Sequence, residues 1–193
     1  MRYDLTQIET WIPRGSRVLD LGCGDGEFLD RLHGTRQVRG MGLELDTENL
    51  VAAAARGVDI IQQDMDQGLG NFATHSFDVV VLAHALQVLH HPDRVLKDMV
   101  RIGHEAVVTF PNFGHWRCRM HLSVTGKMPV SEVMPYSWYD TPNIHFCTVR
   151  DFEALCDELG IAIIDRDTDA GPMQRLLPNL FASTAIFRIR ACA

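Results

Sequence analysis

The stretch Val18-Leu19-Asp20-Leu21-Gly22-Cys23-Gly24-Asp25-Gly26-Glu27-Phe28 constrains this chain more than any other. Aliphatic residues and one acid lead into three alternating glycines, and the apolar pair Phe28-Leu29 leads out. The pattern predicts a buried strand, a tight glycine turn and the first turn of a helix. Glycine has no Cβ and tolerates φ > 0, so such a turn lets a ligand approach bare backbone. The N–H groups at the helix start then face the anionic end of that ligand.

The spacing discriminates between ligands. A dinucleotide fingerprint is G-x-G-x-x-G, which from Gly22 would need glycine where this chain has Glu27. Here the spacing is G-x-G-x-G, with Asp20 two residues ahead. A carboxylate at the strand tip repels a pyrophosphate and attracts an ammonium group. A ligand with both an amino group and a carboxylate fits, and S-adenosylmethionine has both on its methionine end. The stretch Asp20-x-Gly22-x-Gly24-x-Gly26 resembles the first motif of class I S-adenosylmethionine-dependent methyltransferases. The plain alternative is an ordinary strand-to-helix turn with incidental glycines.

Further along, strands and helices alternate. Leu5, Ile8 and Ile12 at helical spacing predict a short helix from Asp4 to Trp11, either a cover for one edge of the ligand site or a packing helix. A strand over Arg17–Leu21 precedes a helix from Glu27 to His33 that Gly34 ends. The second strand, within 37–45, finishes on Glu44 and Leu45, and Thr47 caps a helix from Glu48 to Arg56. An acid about 20 residues after the turn can accept hydrogen bonds from ribose hydroxyls. Glu44 holds that place, or is a surface acid at a strand end. Asp64 follows the third strand, Val58–Gln62. It fits an acceptor for an adenine amino group, with Met65 lying on the ring, and it equally fits a turn residue or helix cap. Phe77–Ala83 is a continuous apolar run, the mark of a central parallel strand covered on both faces. Small Ala83 at its tip leaves room for a ligand. A helix follows from Pro92, with Val95, Leu96, Met99 and Val100 as its stripe, and a fifth strand over Glu105–Phe110.

Five strand–helix units in order predict an α/β, Rossmann-like sheet with right-handed crossovers and helices on both faces. Ligands of such sheets sit beyond the carboxyl ends of the strands. The candidate contacts Asp20, Gly22, Cys23, Gly24, Gly26, Glu44, Leu45, Asp64, Met65 and Ala83 all fall at those ends. Thr148, with Asp151 in capping-box position, begins a last long helix with Phe152, Leu155, Cys156 and Leu159 inward, and Gly160 ends it. Strands at Ile161–Asp165 and Thr184–Arg190 then complete seven, as an antiparallel pair, with Gly171-Pro172 and Pro178-Asn179 marking a loop between them.

Between Pro111 and Cys147 the pattern breaks. Connections have a median of about 4–6 residues, so a segment this long suggests a lid or binding element. Residues 114–126 read as a helix with Trp116, Met120 and Val124 in a stripe and Arg117, Arg119 and Lys127 exposed. A Pro- and aromatic-rich run follows, and the segment holds two of the three tryptophans and two of the three tyrosines. Aromatics and arginine are enriched at partner hot spots; a packed cap over the sheet edge is the other reading.

The totals exclude several classes. A chain of 193 residues, 46% hydrophobic and 22% charged, suits one globular domain spanning 1–193. No apolar run approaches the roughly 18 residues of a membrane span, and the N-terminus lacks a signal peptide's apolar core. A cytoplasmic chain is therefore expected. A net charge of −7 opposes binding to nucleic acid or an anionic membrane. The five cysteines, without a Cys-x-x-Cys, read as free thiols. His84, His90 and His91 lack the carboxylate or cysteine partners of a metal site, so no metal is expected.

The whole chain resembles the methionine-biosynthesis protein MetW family. Beyond the glycine turn, Phe110-Pro111-Asn112-Phe113-Gly114-His115-Trp116, Met128-Pro129-Val130 and Trp138-Tyr139-Asp140-Thr141-Pro142-Asn143-Ile144-His145 carry the likeness. The resemblance implies a methyltransferase-like fold and a role in methionine synthesis beside homoserine O-acyltransferase. One departure is Ala83-His84-Ala85-Leu86-Gln87, where a hydroxyl-bearing residue is expected at position 83 or 85. Two functions follow. One is an accessory partner of the acyltransferase that binds S-adenosylmethionine or S-adenosylhomocysteine. The other is an active methyltransferase on a small-molecule acceptor. No Asn-Pro-Pro-Tyr motif follows the fourth strand, which argues against a nucleobase acceptor. His115, His145 and Tyr139 are possible bases, but no spacing singles one out, so no catalytic residue is nominated.

Overall fold

The computed structural model of the protein describes residues 3–131, 133–168 and 176–192. The apolar run Phe77–Ala83 becomes β4, at the centre of a seven-stranded sheet. It pairs in parallel with β1 (Arg17–Leu21) on one side and β5 (Gly103–Pro111) on the other. Beyond β1 lie β2 (Arg39–Glu44) and β3 (Asp59–Gln62), both parallel. Beyond β5 lie β7 (Thr184–Ala191) and then β6 (Ile161–Thr168), so the order is β3-β2-β1-β4-β5-β7-β6. β7 runs antiparallel to both neighbours. The seven-stranded, mostly parallel sheet with its last strand reversed is the one the sequence predicts.

Alternation along the strands sorts their side chains into two cores. Leu19, Leu21, Val80 and Leu82 face one way. They pack with residues of α4 (Pro92–Ile102) and α6 (Val149–Leu159), and with the ring cluster of Phe110, Phe152 and Phe187. Val18, Val79 and Val81 face the other way, against α1 (Tyr3–Trp11) and α2 (Glu27–Arg36) through Ile8, Phe28, Leu29 and Leu32. Asp20 lies two residues after Val18 and so shares the α1–α2 face.

Helix boundaries differ from expectation at two places. Gly34 does not end α2. The helix continues to Arg36, and Gln37, left-handed at φ 56°, caps it by donating its N–H to the carbonyls of His33 and Leu32. A glycine inside a helix costs only about 1 kcal/mol, and the added turn lets the Arg36 carbonyl accept the Gly15 N–H at 2.9 Å. α3 (Thr47–Ala55) is capped by Asp46, whose carboxylate accepts the Asn49 N–H, so Thr47 is its first helical residue. The capping box of Thr148 and Asp151 on α6 forms as predicted, and Gly160 closes that helix in the left-handed conformation.

The 111–147 segment holds α5 (Trp116–Thr125) and then irregular chain. The periodicity predicts a packed stripe on α5, but Trp116, Met120 and Val124 are exposed and only Cys118 is buried. Pro178-Asn179 opens the short helix α7 (Pro178–Phe181) rather than a loop, because proline suits a first helical turn. The predicted Gly171-Pro172 turn lies outside the described residues.

Candidate functional site

A cleft of about 870 Å³ opens at the carboxyl ends of β1 and β4. Asp20, Gly22, Cys23, Gly24 and Ala83 line it, together with Leu5 of α1 and Asp25, Glu27, Phe28 and Arg31 at the start of α2. The turn that forms its floor has Gly22, Gly24 and Gly26 at φ 73°, 57° and 76°. These values strain any other L-residue. The three glycines differ in what surrounds them. A Cβ on Gly24 would meet nothing within 4 Å, so that face is kept bare for an approaching group. A Cβ on Gly26 would lie 2.9 Å from the Cβ of Ala53, so Gly26 serves the packing of α2 on α3. At Gly22 a Cβ would lie 3.5 Å from Met65 Cε, which places the Met65 methyl over the turn.

The acids at the strand tips have different environments. Asp20 is buried and its carboxylate accepts no hydrogen bond among the described residues. Burial, and then the negative charge of Glu44, push its pKa up to about 7. A buried carboxylate facing a cleft without a partner needs a cation or a donor from a ligand. The same burial, with the charges of Asp20 and Glu44, raises the Cys23 thiol to about 12, so Cys23 is a neutral wall residue and not a nucleophile.

Glu44 is tied to the turn itself. One carboxylate oxygen accepts the Gly24 N–H at 2.9 Å, and the other accepts the N–H groups of Leu45 and Asp46 at 2.8 and 2.9 Å. A carboxylate has about four acceptor positions, so capacity remains for a hydroxyl donor. Leu45 contributes through that backbone contact while its side chain is exposed. Asp64 caps the single helical turn Met65–Gln67 by accepting the Asp66 N–H at 2.9 Å. The capping alternative is therefore realised, and its second oxygen lies 3.3 Å from the Gln67 amide.

The residues that invite a metal reading do other work. The Asp66 carboxylate accepts the N–H groups of His90 and His91, each at 3.0 Å, and lies 3.1 Å from His90 Nδ1. These contacts fasten the loop after β4 to the turn after β3. His84, left-handed at φ 56°, puts its Nε2 2.8 Å from the Asp4 carboxylate of α1. Among the described residues, no group of three or more His, Cys, Asp or Glu is placed to hold a metal ion.

Asn112 moors the start of the 111–147 segment. Asn112 is fully buried. Its amide oxygen accepts the N–H of Gly114 at 2.9 Å and of Val149 at 3.3 Å, and its amide nitrogen donates to the Ala182 carbonyl at 2.8 Å. A Cβ on Gly114 would press within 2.9 Å of that Asn112 oxygen, which explains glycine there. At the far end, the N–H groups of Ile144 and His145 both reach the Gln87 carbonyl, at 2.8 and 3.0 Å. The segment is thus clasped to the loop that follows Ala83. Its interior leaves a gap of only about 10 Å³ among Met128, Met134, Tyr136, Trp138 and Phe146. The His115 Nδ1 accepts the Arg117 N–H at the start of α5, and the Tyr139 side chain is 76% exposed.

A sheet of this order, with an acid-tipped first strand and a glycine turn opening a helix, defines a protein of the Rossmann-like class I methyltransferase fold. Solved structures agree. An S-adenosylmethionine-dependent methyltransferase from Mesorhizobium loti superposes with a TM-score of 0.70 at 18% identity, covering 96% of each chain. A TehB-like methyltransferase from Corynebacterium glutamicum gives 0.64 at 15% identity, over 98% of this chain and 87% of that one. The [4+2]-cyclase SpnF gives 0.67 at 18% identity, over 97% and 79%, so the same fold also carries other chemistry.

The chain belongs to the family of the methionine biosynthesis protein MetW, whose model matches residues 2–189. It is 37% identical over 202 aligned positions to the bifunctional methionine biosynthesis protein MetXA/MetW of Rhodopirellula baltica. That match covers 96% of this chain and 32% of the relative, so the chain spans about a third of the relative's length.

Proposed function

We propose that this protein binds S-adenosylmethionine, or its product S-adenosylhomocysteine, in the β1–β4 cleft. We further propose that it acts as an accessory, regulatory partner of homoserine O-acyltransferase in methionine biosynthesis. The residues present fit the cofactor. Asp20 supplies the anion for an ammonium group, and the bare backbone around Gly24 supplies close approach. Glu44 keeps acceptor capacity for ribose hydroxyls, and Asp64 with Met65 lies at the neighbouring strand tip for the base. When bound, S-adenosylmethionine would supply a methyl group on a sulfonium. Methyl transfer needs mainly alignment; Cys23 is a neutral thiol, and in this reading the Asp20 carboxylate would be taken up by the ligand's ammonium group.

The observation that carries the partner reading is the surface of the 111–147 segment. Most of the large hydrophobic side chains exposed among the described residues lie between Trp116 and Phe146. Trp138 and Tyr139 are 73% and 76% exposed and stack edge to face at 5.6 Å. Exposed apolar side chains concentrated in one segment fit an interaction site, and Trp, Tyr, Met and Arg are the residues such sites favour. The segment is already filled by its own side chains, which suits a docking face better than a closing lid. The relative that joins MetXA and MetW in one chain supports the partner's identity.

The test is reconstitution. The acyltransferase is assayed alone, with this protein, and with this protein plus saturating S-adenosylmethionine. A rate raised by the protein and altered again by the cofactor is expected, since coupling requires the ligand to favour one state of the complex. An unchanged rate on adding the protein would sink the partner reading. Methyl transfer to a small molecule by the protein alone would establish the enzyme reading instead.

A further inference from the structure

α5 lacks most of what ordinarily holds a helix in water. It has 10 residues, and Cys118 is its one buried side chain. Isolated helices shorter than about 12–15 residues are marginal, and packing of an apolar face usually supplies the missing stability. On α5 that face is Trp116, Met120 and Val124, and all three are exposed. Each is four residues from the next, so they form one stripe about 12 Å long. The charges work against the helix as well. Arg117 and Arg119 lie in its first turn, where the positive end of the dipole disfavours cations, and no acid stands there to offset them.

The sequence around α5 is basic in a chain that is acidic as a whole. Net charge is −7, yet residues 106–131 contain no Asp or Glu. Arg117, His121 and Lys127 are exposed. The Arg117 guanidinium lies 5.5 Å from the centroid of the Trp116 ring, which keeps a cation on the flank of the apolar stripe. His121 follows Arg117 by four residues and so shares that flank. Arg119 does different work, since its Nε donates to the Gly114 carbonyl and holds the helix to its own chain. An apolar stripe flanked by cations is matched by an apolar groove edged with carboxylates. Such a groove makes good all three deficits. It buries the stripe, pairs Arg117 and Lys127, and brings negative charge to the positive end of the helix. An anionic bilayer offers α5 the same charge but repels a chain of net −7, and so does a second copy of that chain.

We propose that α5 is the docking helix of the partner reading above, and that it seats in an apolar groove edged with Asp and Glu on the partner protein. The proposal rests on that reading and adds the element that docks and the chemistry of the surface it meets. It also has a consequence for the helix itself, which is weakly held in the free protein and firmly held in the complex. Carboxylates at the groove steer the encounter and pair with Arg117 and Lys127, so association weakens as salt screens them.

The test measures binding of the full chain to homoserine O-acyltransferase by calorimetry at about 50 and 300 mM salt, on either side of physiological screening. Parent affinity should fall at least tenfold between the two. The double variant Arg117→Glu, Lys127→Glu should bind at least tenfold more weakly at low salt and lose most of the salt dependence. The neutral pair Arg117→Gln, Lys127→Gln carries a smaller loss in the same direction, should thermal melting show that charge reversal disturbs the fold. Amide hydrogen exchange over residues 119–126 should slow at least tenfold when the acyltransferase is added. Salt-independent binding by the parent, charge variants that bind as the parent does, or unchanged exchange of α5 in a formed complex would each overturn the docking helix and leave the partner reading standing. A parent that does not bind the acyltransferase at either salt would overturn the partner reading itself. Self-association in light scattering that the double variant abolishes would give the face to a second copy. Binding to phosphatidylglycerol vesicles that the variant abolishes would give it to a lipid surface. Either result overturns the proposal.

Discussion

Replacing Asp20 by asparagine should stabilise the protein while weakening binding of the proposed ligand. The Asp20 pKa stands at about 7, raised from the ordinary carboxylate range near 4 by burial and then by the charge of Glu44. An acid whose folded pKa is raised favours the folded state only while protonated. The unfolded chain begins to ionise near pH 4 and the folded one only near pH 7, so stability falls across that window. Each unit is worth 1.36 kcal/mol, so the loss reaches about 4 kcal/mol by pH 7 and is constant above it. Asp20→Asn keeps the shape and removes the charge. The difference in unfolding free energy between variant and parent should therefore grow in the variant's favour between pH 4 and 7, then level off. At pH 8 this corresponds to roughly 10 °C in melting temperature for a domain of this size. Urea unfolding at half-unit pH steps, followed by tryptophan fluorescence, measures the difference. A difference that stays flat across pH 4–7 would refute the reasoning, because the buried carboxylate would then carry no penalty. The same variant should lose S-adenosylhomocysteine affinity by at least tenfold, since a charge-assisted hydrogen bond contributes about 1.5–3 kcal/mol. In the parent, binding should tighten about tenfold per unit as pH rises from 5 to 7, because the ammonium requires Asp20 ionised.

Other outcomes follow from the same geometry. Gly24→Ala should cost about 1–2 kcal/mol of stability, from its positive φ alone, yet remove cofactor binding. Gly26→Ala adds a clash with Ala53 and should cost about 2–4 kcal/mol; parallel thermal melts and calorimetry separate the two. Glu44→Gln should weaken S-adenosylhomocysteine binding about tenfold and lower the pH at which the Asp20 penalty saturates, read by the same urea series. Asn112→Ala should cost about 2–4 kcal/mol, because it orphans buried N–H groups and a carbonyl, and should speed proteolysis between 113 and 147, seen by limited digestion.

Local signals in the sequence translated well. The β1 boundaries, the Thr148–Asp151 capping box and the apolar run of β4 are set by residues a few positions apart, so reading neighbours suffices. The glycine turn, Asp20 and Ala83 do meet in one cleft for the same reason: parallel strands bring their carboxyl ends together. What the sequence concealed depends on distant packing. Leu5 and Arg31 reach the cleft only because α1 and α2 lie side by side on one face of the sheet. The 116/120/124 stripe has the period of a core face, but periodicity cannot tell whether anything lies opposite. Gly34 resembles a helix stop, and only the tertiary bond from Gly15 to the Arg36 carbonyl shows why the helix runs on. The Pro111–Gly114 run is conspicuous in sequence, yet its role as a mooring appears only when Ala182 and Val149 arrive beside Asn112.

The place of β7 between β5 and β6 has a consequence for synthesis. β5 ends at Pro111, and the strand that covers its outer edge begins at Thr184. At about 5–20 residues per second, the ribosome needs on the order of several seconds to deliver it. During that interval the hydrogen-bonding edge of β5 is open and Phe110 and Phe152 lack Phe187, their third ring. Open edges of this kind recruit other strands. The nascent chain is therefore most exposed to misassociation after the glycine turn has been synthesised and before β7 arrives to cover the edge of β5.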